Sequence, residues 1–309
     1  MIKNISILAP KRKNDVWTVP LSFYYNLIHS GFNVKIYNNL HEDKPGITLL
    51  DNRAWDENGL KSLLSDANSG VFVPDVIIHF DFGLFVSDYL NKKYFPSALW
   101  VYESGDDPQS FSYNYSKVAK GDFDLIMSPD CRATQEYVRR GYNAVWSPHF
   151  ADEKFIGGEI TPIVDSITSR HFSEDFFAQL KSRLGDRFKA RDEFINEKDH
   201  PLFLKQGKIV VQNSKYKEIT RRIFEGMLCN RLVITDRLPA ETKIDSIFKE
   251  NEDIVYFDSV DDCASKIEYY SNNDVERNII ALNGCNKVKK HHTVSQRVKK
   301  LLSILNNLC

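Results

Sequence analysis

The chain has 309 residues, of which 42% are hydrophobic, 12% aromatic and 27% charged. That is enough apolar material for two cores of ordinary domain size, and it excludes a disordered or fibrous chain. With 41 Lys and Arg against 42 Asp and Glu the formal charge is −1, so charge alone demands no polyanionic partner.

The start, MIKNISILAPKRKND, is too short an apolar run for a secretion signal or a bilayer span, and it reads as the first strand of a cytoplasmic protein with no membrane span. Its five cysteines (Cys131, Cys229, Cys263, Cys285 and Cys309) are scattered and odd in number, without a C-x-x-C, so they read as reduced thiols.

From the N-terminus, NISILAP reads as a strand, PLSFYYNLIHSG as a helix closed by Gly31, and FNVKIYNN as a second strand: a parallel βαβ unit. The alternation continues through GITLLD, a helix around ENGLKSLLSDAN, PDVIIHFD, SALWVYES, DFDLIMSPD, the helix CRATQEYVRRG and YNAVWSPH. Runs this continuously apolar are expected of strands covered by helices on both faces, hence a doubly wound sheet. Gly157-Gly158 reads as a linker, giving domains over 1–156 and 157–309. In the second, ITPIVDSIT, the helix SEDFFAQLKSRLG capped by Ser173, DRFKARDEF, GKIVVQN, a helix over TRRIFEGML, RLVITD, DIVYFDS and the helix VDDCASKIEYYSN form a smaller α/β domain. The last segment is helical by period, with a break expected near Asn283-Gly284. Its Lys287, Lys289, Lys290, Arg297, Lys299 and Lys300 read as a solvated face or a polyanion contact.

The stretch NSKYKEITRRIFEGMLCNRLVITD, residues 213–236, carries the most chemistry. Ile223, Phe224, Met227 and Leu228 share one arc at 3.6 residues per turn, with Glu225 at its flank and Arg221 and Arg222 four and three residues before it. One reading is an ordinary ion pair on a helix surface, worth a few tenths of a kcal/mol. The other follows from position. The helix comes after strand GKIVVQN, where ligands of open α/β sheets bind, and its first-turn N–H groups favour an anion. Asn213, Ser214, Lys215, Arg221 and Arg222 are donors suited to a diphosphate, and Glu225 suits ribose hydroxyls.

TRRIFEGMLCNRLVITD resembles the R-x-F-E-A-x-A-C-G-x-x-x-x-T-D signature of CgeB-like glycosyltransferases, a branch of the two-domain GT-B enzymes that use nucleotide sugars. LWVYESGDDPQSF, FDLIMSPDCRATQEYVRRGYNAVWSPHFADEKF and HHTVSQRVKKLL resemble further passages of that family in the same order, over roughly residues 70–305. The resemblance implies two Rossmann-like doubly wound domains facing a central cleft, with the acceptor on 1–156 and the nucleotide sugar on 157–309. It implies a ribose contact for Glu225 and a diphosphate contact for Arg222, with Arg221 beside it. It also implies a nucleoside-diphosphate sugar of the UDP type as donor substrate, retention of configuration, and neither cofactor nor metal. Asn230 stands where the family has Gly, and Lys217 stands where many GT-B enzymes have the first Glu of E-x7-E.

In the front half, Glu103, Asp106 and Asp107 follow a strand and read either as acid/base or acceptor groups or as an acid-rich turn; Asp106 and Asp107 match the family's D-x-P. His79, followed by Asp81 and Gly83, lies at a strand end and reads as an acceptor contact or a core histidine; His149 has a hinge or cleft position at the domain junction. His291-His292 lacks companions at metal-ligand spacing, and no P-loop, dinucleotide fingerprint or nucleophile elbow occurs. The expected activity is therefore glycosyl transfer to an acceptor the residues do not specify: a glycan, a protein, a small molecule or DNA. The alternative is a nucleotide-sugar-binding partner subunit without turnover. Oligomeric state leaves no mark on the sequence.

Overall fold

The structure, a computed structural model, describes residues 2–9, 18–37, 55–80, 91–105, 107–158, 160–169, 174–191 and 199–308. The expected strand at 46–51, the cap Ser173, and Asp81, Gly83 and Asp106 lie outside them. Two compact units emerge: Met1–Pro148 with Val298–Cys309, and His149–Arg297.

In the first unit the order is β1 (Asn4–Leu8), α1 (Thr18–His29), β2 (Asn33–Tyr37), α2 (Trp55–Asn68), β3 (Val76–Phe80), β4 (Leu99–Glu103), α3 (Phe111–Gly121), β5 (Leu125–Ser128), α4 (Cys131–Arg139) and β6 (Ala144–Trp146). All strand pairs are parallel, in the order β2-β1-β3-β4-β5-β6. Every residue of β3 and β5 is buried, as two-sided helix cover requires. Gly31 ends α1 with φ +89, the left-handed turn its place in the sequence predicts.

The second unit has β7 (Val164–Ser169), α5 (Glu174–Leu184), β8 (Phe188–Arg191), α6 (His200–Lys205), β9 (Gly207–Gln212), α7 (Arg221–Leu228), β10 (Leu232–Asp236), β11 (Val255–Phe257), α8 (Val260–Asn272) and α9 (Asp274–His291), followed by α10 (Val294–Leu308). Its parallel sheet runs β11-β10-β9-β7-β8. Read from the other edge this is the strand order of the first unit without its last strand. In each, the chain reverses direction beside the first strand, the switch point at which doubly wound sheets bind ligands.

The units divide earlier than the glycine pair suggests. Gly157 and Gly158 do turn the chain, with φ of 77 and 60. Residues 149–156 are nevertheless already built into the second unit: Ala151 bridges Thr293, the Glu153 carboxylate accepts from Ser295 N–H at 2.9 Å, and Phe155 is buried. At the other end α10 starts in the second unit and finishes in the first.

Nor does α9 break at Asn283-Gly284. It runs unbroken to His291, and the glycine serves packing instead: a Cβ there would stand 2.7 Å from Asp253 O and 3.3 Å from Met227 of α7. Asn230 adopts φ +56 after α7, so Asn does take the left-handed role of the family's Gly. Four of the cysteines, Cys131, Cys229, Cys263 and Cys285, are buried free thiols. Within the basic set, Lys287 pairs with Asp253, Lys300 Nζ donates to Trp146 O at 2.9 Å and Arg297 is buried, which leaves Lys289, Lys290 and Lys299 as solvated charges. Among the described residues no helix is long and apolar enough to cross a membrane. Gly284→Ala should cost about 1–3 kcal/mol by overpacking, seen as a lower thermal midpoint.

Candidate active site

The second unit's site is built around α7. Val210 of β9 and Val233 of β10 pair in register and face the helix, and Gly226 rests on both, with its Cβ position 3.0 Å from each side chain. The predicted arc is buried, and Glu225 is buried with it at 4% exposure, deeper than a helix flank. Its Oε1 lies 2.8 Å from Arg221 Nε and its Oε2 lies 3.7 Å from His200 Nδ1 at the start of α6. The arginine contact is one of charge, since the Nε–H points off the carboxylate. This is no surface pair of a few tenths of a kcal/mol. At this burial, removing one partner strands a charge and costs several kcal/mol.

Thr220 caps α7 in an extended conformation, yet its side chain makes no capping bond and its buried hydroxyl has no hydrogen-bond partner. The first turn therefore presents that hydroxyl at the positive end of the helix dipole. Before it, the loop from Asn213 is drawn onto Asp236, the last residue of β10. Ser214 N–H donates to Asp236 Oδ1 at 2.8 Å, Lys217 Nζ reaches Oδ2 at 2.7 Å, and Ser214 Oγ accepts from Glu218 N–H at 2.9 Å. Lys217, with φ +50, is thus spent on holding the loop. Asn213 is half-buried, whereas Lys215 is exposed and lies over the Tyr216 ring at 5.6 Å.

Two more cationic or titratable groups join Arg221 and Arg222. Arg297 of α10 is buried and stacks over Phe150 at 4.7 Å. Beside it the half-buried His149 ring is pushed down to about 3, first by loss of hydration and then by the charges of Arg297, Arg221 and Arg222. The corner is thus a cation cluster with a neutral imidazole, suited to an anion.

The described candidates of the first unit, His79, Glu103 and Asp107, are buried. His79 is fully buried, stacked on Tyr102 at 5.7 Å and edge-on to Phe123 at 5.9 Å, so the core-histidine alternative holds in place of an acceptor contact. Asp107, 1% exposed, accepts from Ser104 Oγ at 2.7 Å, Ser128 Oγ at 2.8 Å and Asn114 Nδ2 at 2.8 Å. It ties the turn after β4 to α3 and β5 and does not reach out as an acid/base group. His292 packs against Phe224 and Phe248, and no metal-binding cluster occurs among the described residues.

Residues 170–303 match the family model described as glycosyl transferase-like. The match covers less than half of the chain and makes this stretch similar to that family. Solved structures of similar fold cover nearly all of this chain. Anabaena HepE in complex with UDP-glucose is 13% identical over 97% of this chain and 99% of its own, at a TM-score of 0.62. Sucrose-phosphate synthase from Thermosynechococcus elongatus is 10% identical over 99% and 100%, at 0.63, and a Rickettsia africae glycosyltransferase is 12% identical over 98% and 97%, at 0.60. At such identities the likeness is one of fold, the two-domain GT-B fold. No curated protein matches the chain.

Sequence reasoning assigned nothing to Thr220, Asp236 or His200 and kept Arg297 among the surface charges. Asp236 had a signal, the closing T-D of the signature; His200 had none, since only the fold brings α6 to α7.

Burial raises the Asp107 carboxyl, against the hydrogen bonds of Ser104, Asn114 and Ser128, with Asp130 adding to the rise. An acid raised in the folded state lends stability below its unfolded value near about 4 and loses it as pH rises through the folded one. The stability of wild type relative to Asp107→Asn, from urea unfolding, should therefore fall as pH climbs from about 4.

Proposed function

We propose that the protein is a glycosyltransferase that moves a sugar from a nucleoside-diphosphate sugar, with the donor nucleotide held at α7: Glu225 on the ribose hydroxyls, and Arg222 and Arg221 facing the diphosphate. The observation that carries this reading is the buried Glu225 carboxylate behind an uncapped helix N-terminus, at the carboxyl edge of a parallel sheet. A carboxylate and an anion site one helical turn apart match the two polar parts of a nucleotide. Ser214 and Asn213 border this turn; Lys215 is left to the loop's outer face.

A UDP-type donor is supported by HepE, whose structure contains UDP-glucose. The cations facing the departing diphosphate are guanidinium groups fixed before reaction, which is the form of stabilisation that lowers a barrier without reorganisation. They supply leaving-group stabilisation from side chains, in keeping with a metal-independent reaction, and the family resemblance supports retention. The acceptor belongs to the first unit in this reading, and its chemical class is open.

Uridine, guanosine, cytidine, adenosine and thymidine diphosphates and their sugar conjugates, tested by thermal shift, should single out one base. At a hundredfold the dissociation constant the gain is about 2.7 kcal/mol, a rise of several degrees. Glu225→Gln should abolish the shift while keeping a cooperative transition. Release of free sugar or product from the chosen conjugate separates an enzyme from a binding subunit. No shift with any nucleotide would overturn the donor-site reading.

A further inference from the structure

Helix α9 presents two different faces. Inward, Ile280, Ala281, Cys285 and Val288 are buried, and Gly284 lies against Met227 of α7. Outward, Val275 is 77% exposed, Ile279 56% and Leu282 50%. These three positions advance by four and then three residues, the step of a seam along which two helices meet, on a helix whose 18 residues span about 27 Å. Tyr269 of α8, also exposed, widens the patch on one flank, where its hydroxyl donates to the Glu276 carboxylate at 2.8 Å.

Single apolar side chains on a surface are ordinary, whereas a row of three inside a polar rim has the anatomy of a contact surface. The rim is made of the exposed amides Asn278, Asn283 and Asn286. Charge is kept to the two ends: Asp274 and Glu276 in the first turn, Lys289, Lys290 and His291 in the last. That polarity suits the helix dipole, which accounts for the charges and leaves the aliphatic row between them unexplained. A lipid surface calls for basic side chains along the flanks of such a row, and these flanks carry amides, with acid at one end.

The face complements itself instead. Turned end for end about a two-fold axis, the seam sets Ile279 of one copy against Leu282 of the other, and Val275 against Asn286. Glu276, Asn283 and Lys290 recur at intervals of seven along one flank, so the same rotation brings Glu276 of each copy to Lys290 of the other. Lys290, a solvated charge in the single chain, thereby gains a carboxylate. We propose that α9 is a self-association face, on which two copies of the protein pack their α9 helices antiparallel across a two-fold axis. The contact is isologous, so it closes at the dimer. It stands independently of the donor site.

The test is sedimentation velocity of the full chain over about 1 to 100 μM, because a face one helix wide lies at the small end of specific interfaces and micromolar association is expected of it. Wild type should pass from monomer to dimer across that range. Leu282→Glu, a change at an exposed position, should leave the thermal midpoint within a few degrees and weaken association by about a hundredfold or more. Glu276→Lys and Lys290→Glu each set like charges together twice in a dimer, and each should weaken it by about tenfold. Mixed in equal amounts, these two variants should associate with one another about as tightly as wild type does with itself, since each carries the charge the other has lost.

That recovery belongs to the antiparallel arrangement, because a parallel pair would keep residues 276 and 290 at opposite ends. A wild-type chain that stays monomeric throughout, a dimer that Leu282→Glu leaves intact, or charge variants whose mixture associates no better than either alone overturns the inference. So does flotation of wild type, but not of Leu282→Glu, with phosphatidylcholine and phosphatidylglycerol vesicles in the absence of a dimer, which would assign the aliphatic row to a lipid surface.

Discussion

Helix α7 lies as close to its sheet as a helix can, because Gly226 leaves nothing between its backbone and the valines of β9 and β10. That approach sets the height of the helix above the strand ends. It decides that Glu225 is buried rather than solvated, that Arg221 must answer it along the helix, and that the first turn opens at the carboxyl edge of the sheet. The apolar arc anchors the helix, and α9 packs on the arc at Met227, where Gly284 repeats the same device. Two missing side chains thus position a charged one.

Around that helix, charge is distributed by burial. Asp236 is a buried acid whose oxygens are both occupied by the loop that leads into α7, so it fixes geometry and adds no free charge. Lys217 is consumed in the same bond pair. At the helix start the charges of Arg297, Arg221 and Arg222 act on one uncharged imidazole, and functional sites are where such strongly shifted groups accumulate.

Much of this was legible from residues 213–236 alone: the helix, its buried arc, the Glu225–Arg221 spacing and the left-handed Asn230 all follow from local periodicity and cap chemistry. The contacts that needed the fold were not. His200 reaches Glu225 from α6, and Arg297 comes from about 70 residues beyond α7, distances that no pattern in the chain encodes. The front-half alternatives needed the fold for a related reason. A histidine or aspartate at a strand end looks the same in sequence whether it faces solvent or the core, and only the neighbours decide: Tyr102 and Phe123 for His79, the hydroxyls of Ser104 and Ser128 for Asp107. Gly284 misled because a glycine in a helical pattern marks either a break or a close crossing.

The shared helix α10 has a consequence for how the protein is made. Val298, Leu301 and Leu305 are buried, and they belong to the unit whose other residues end at Pro148. A ribosome delivers them about 150 residues after that unit's last strand, a wait of roughly ten to thirty seconds at ordinary elongation rates. During it the six-stranded sheet exists without one of its helices, and the second unit can form before the first is finished. Order of synthesis and order of completion are therefore reversed.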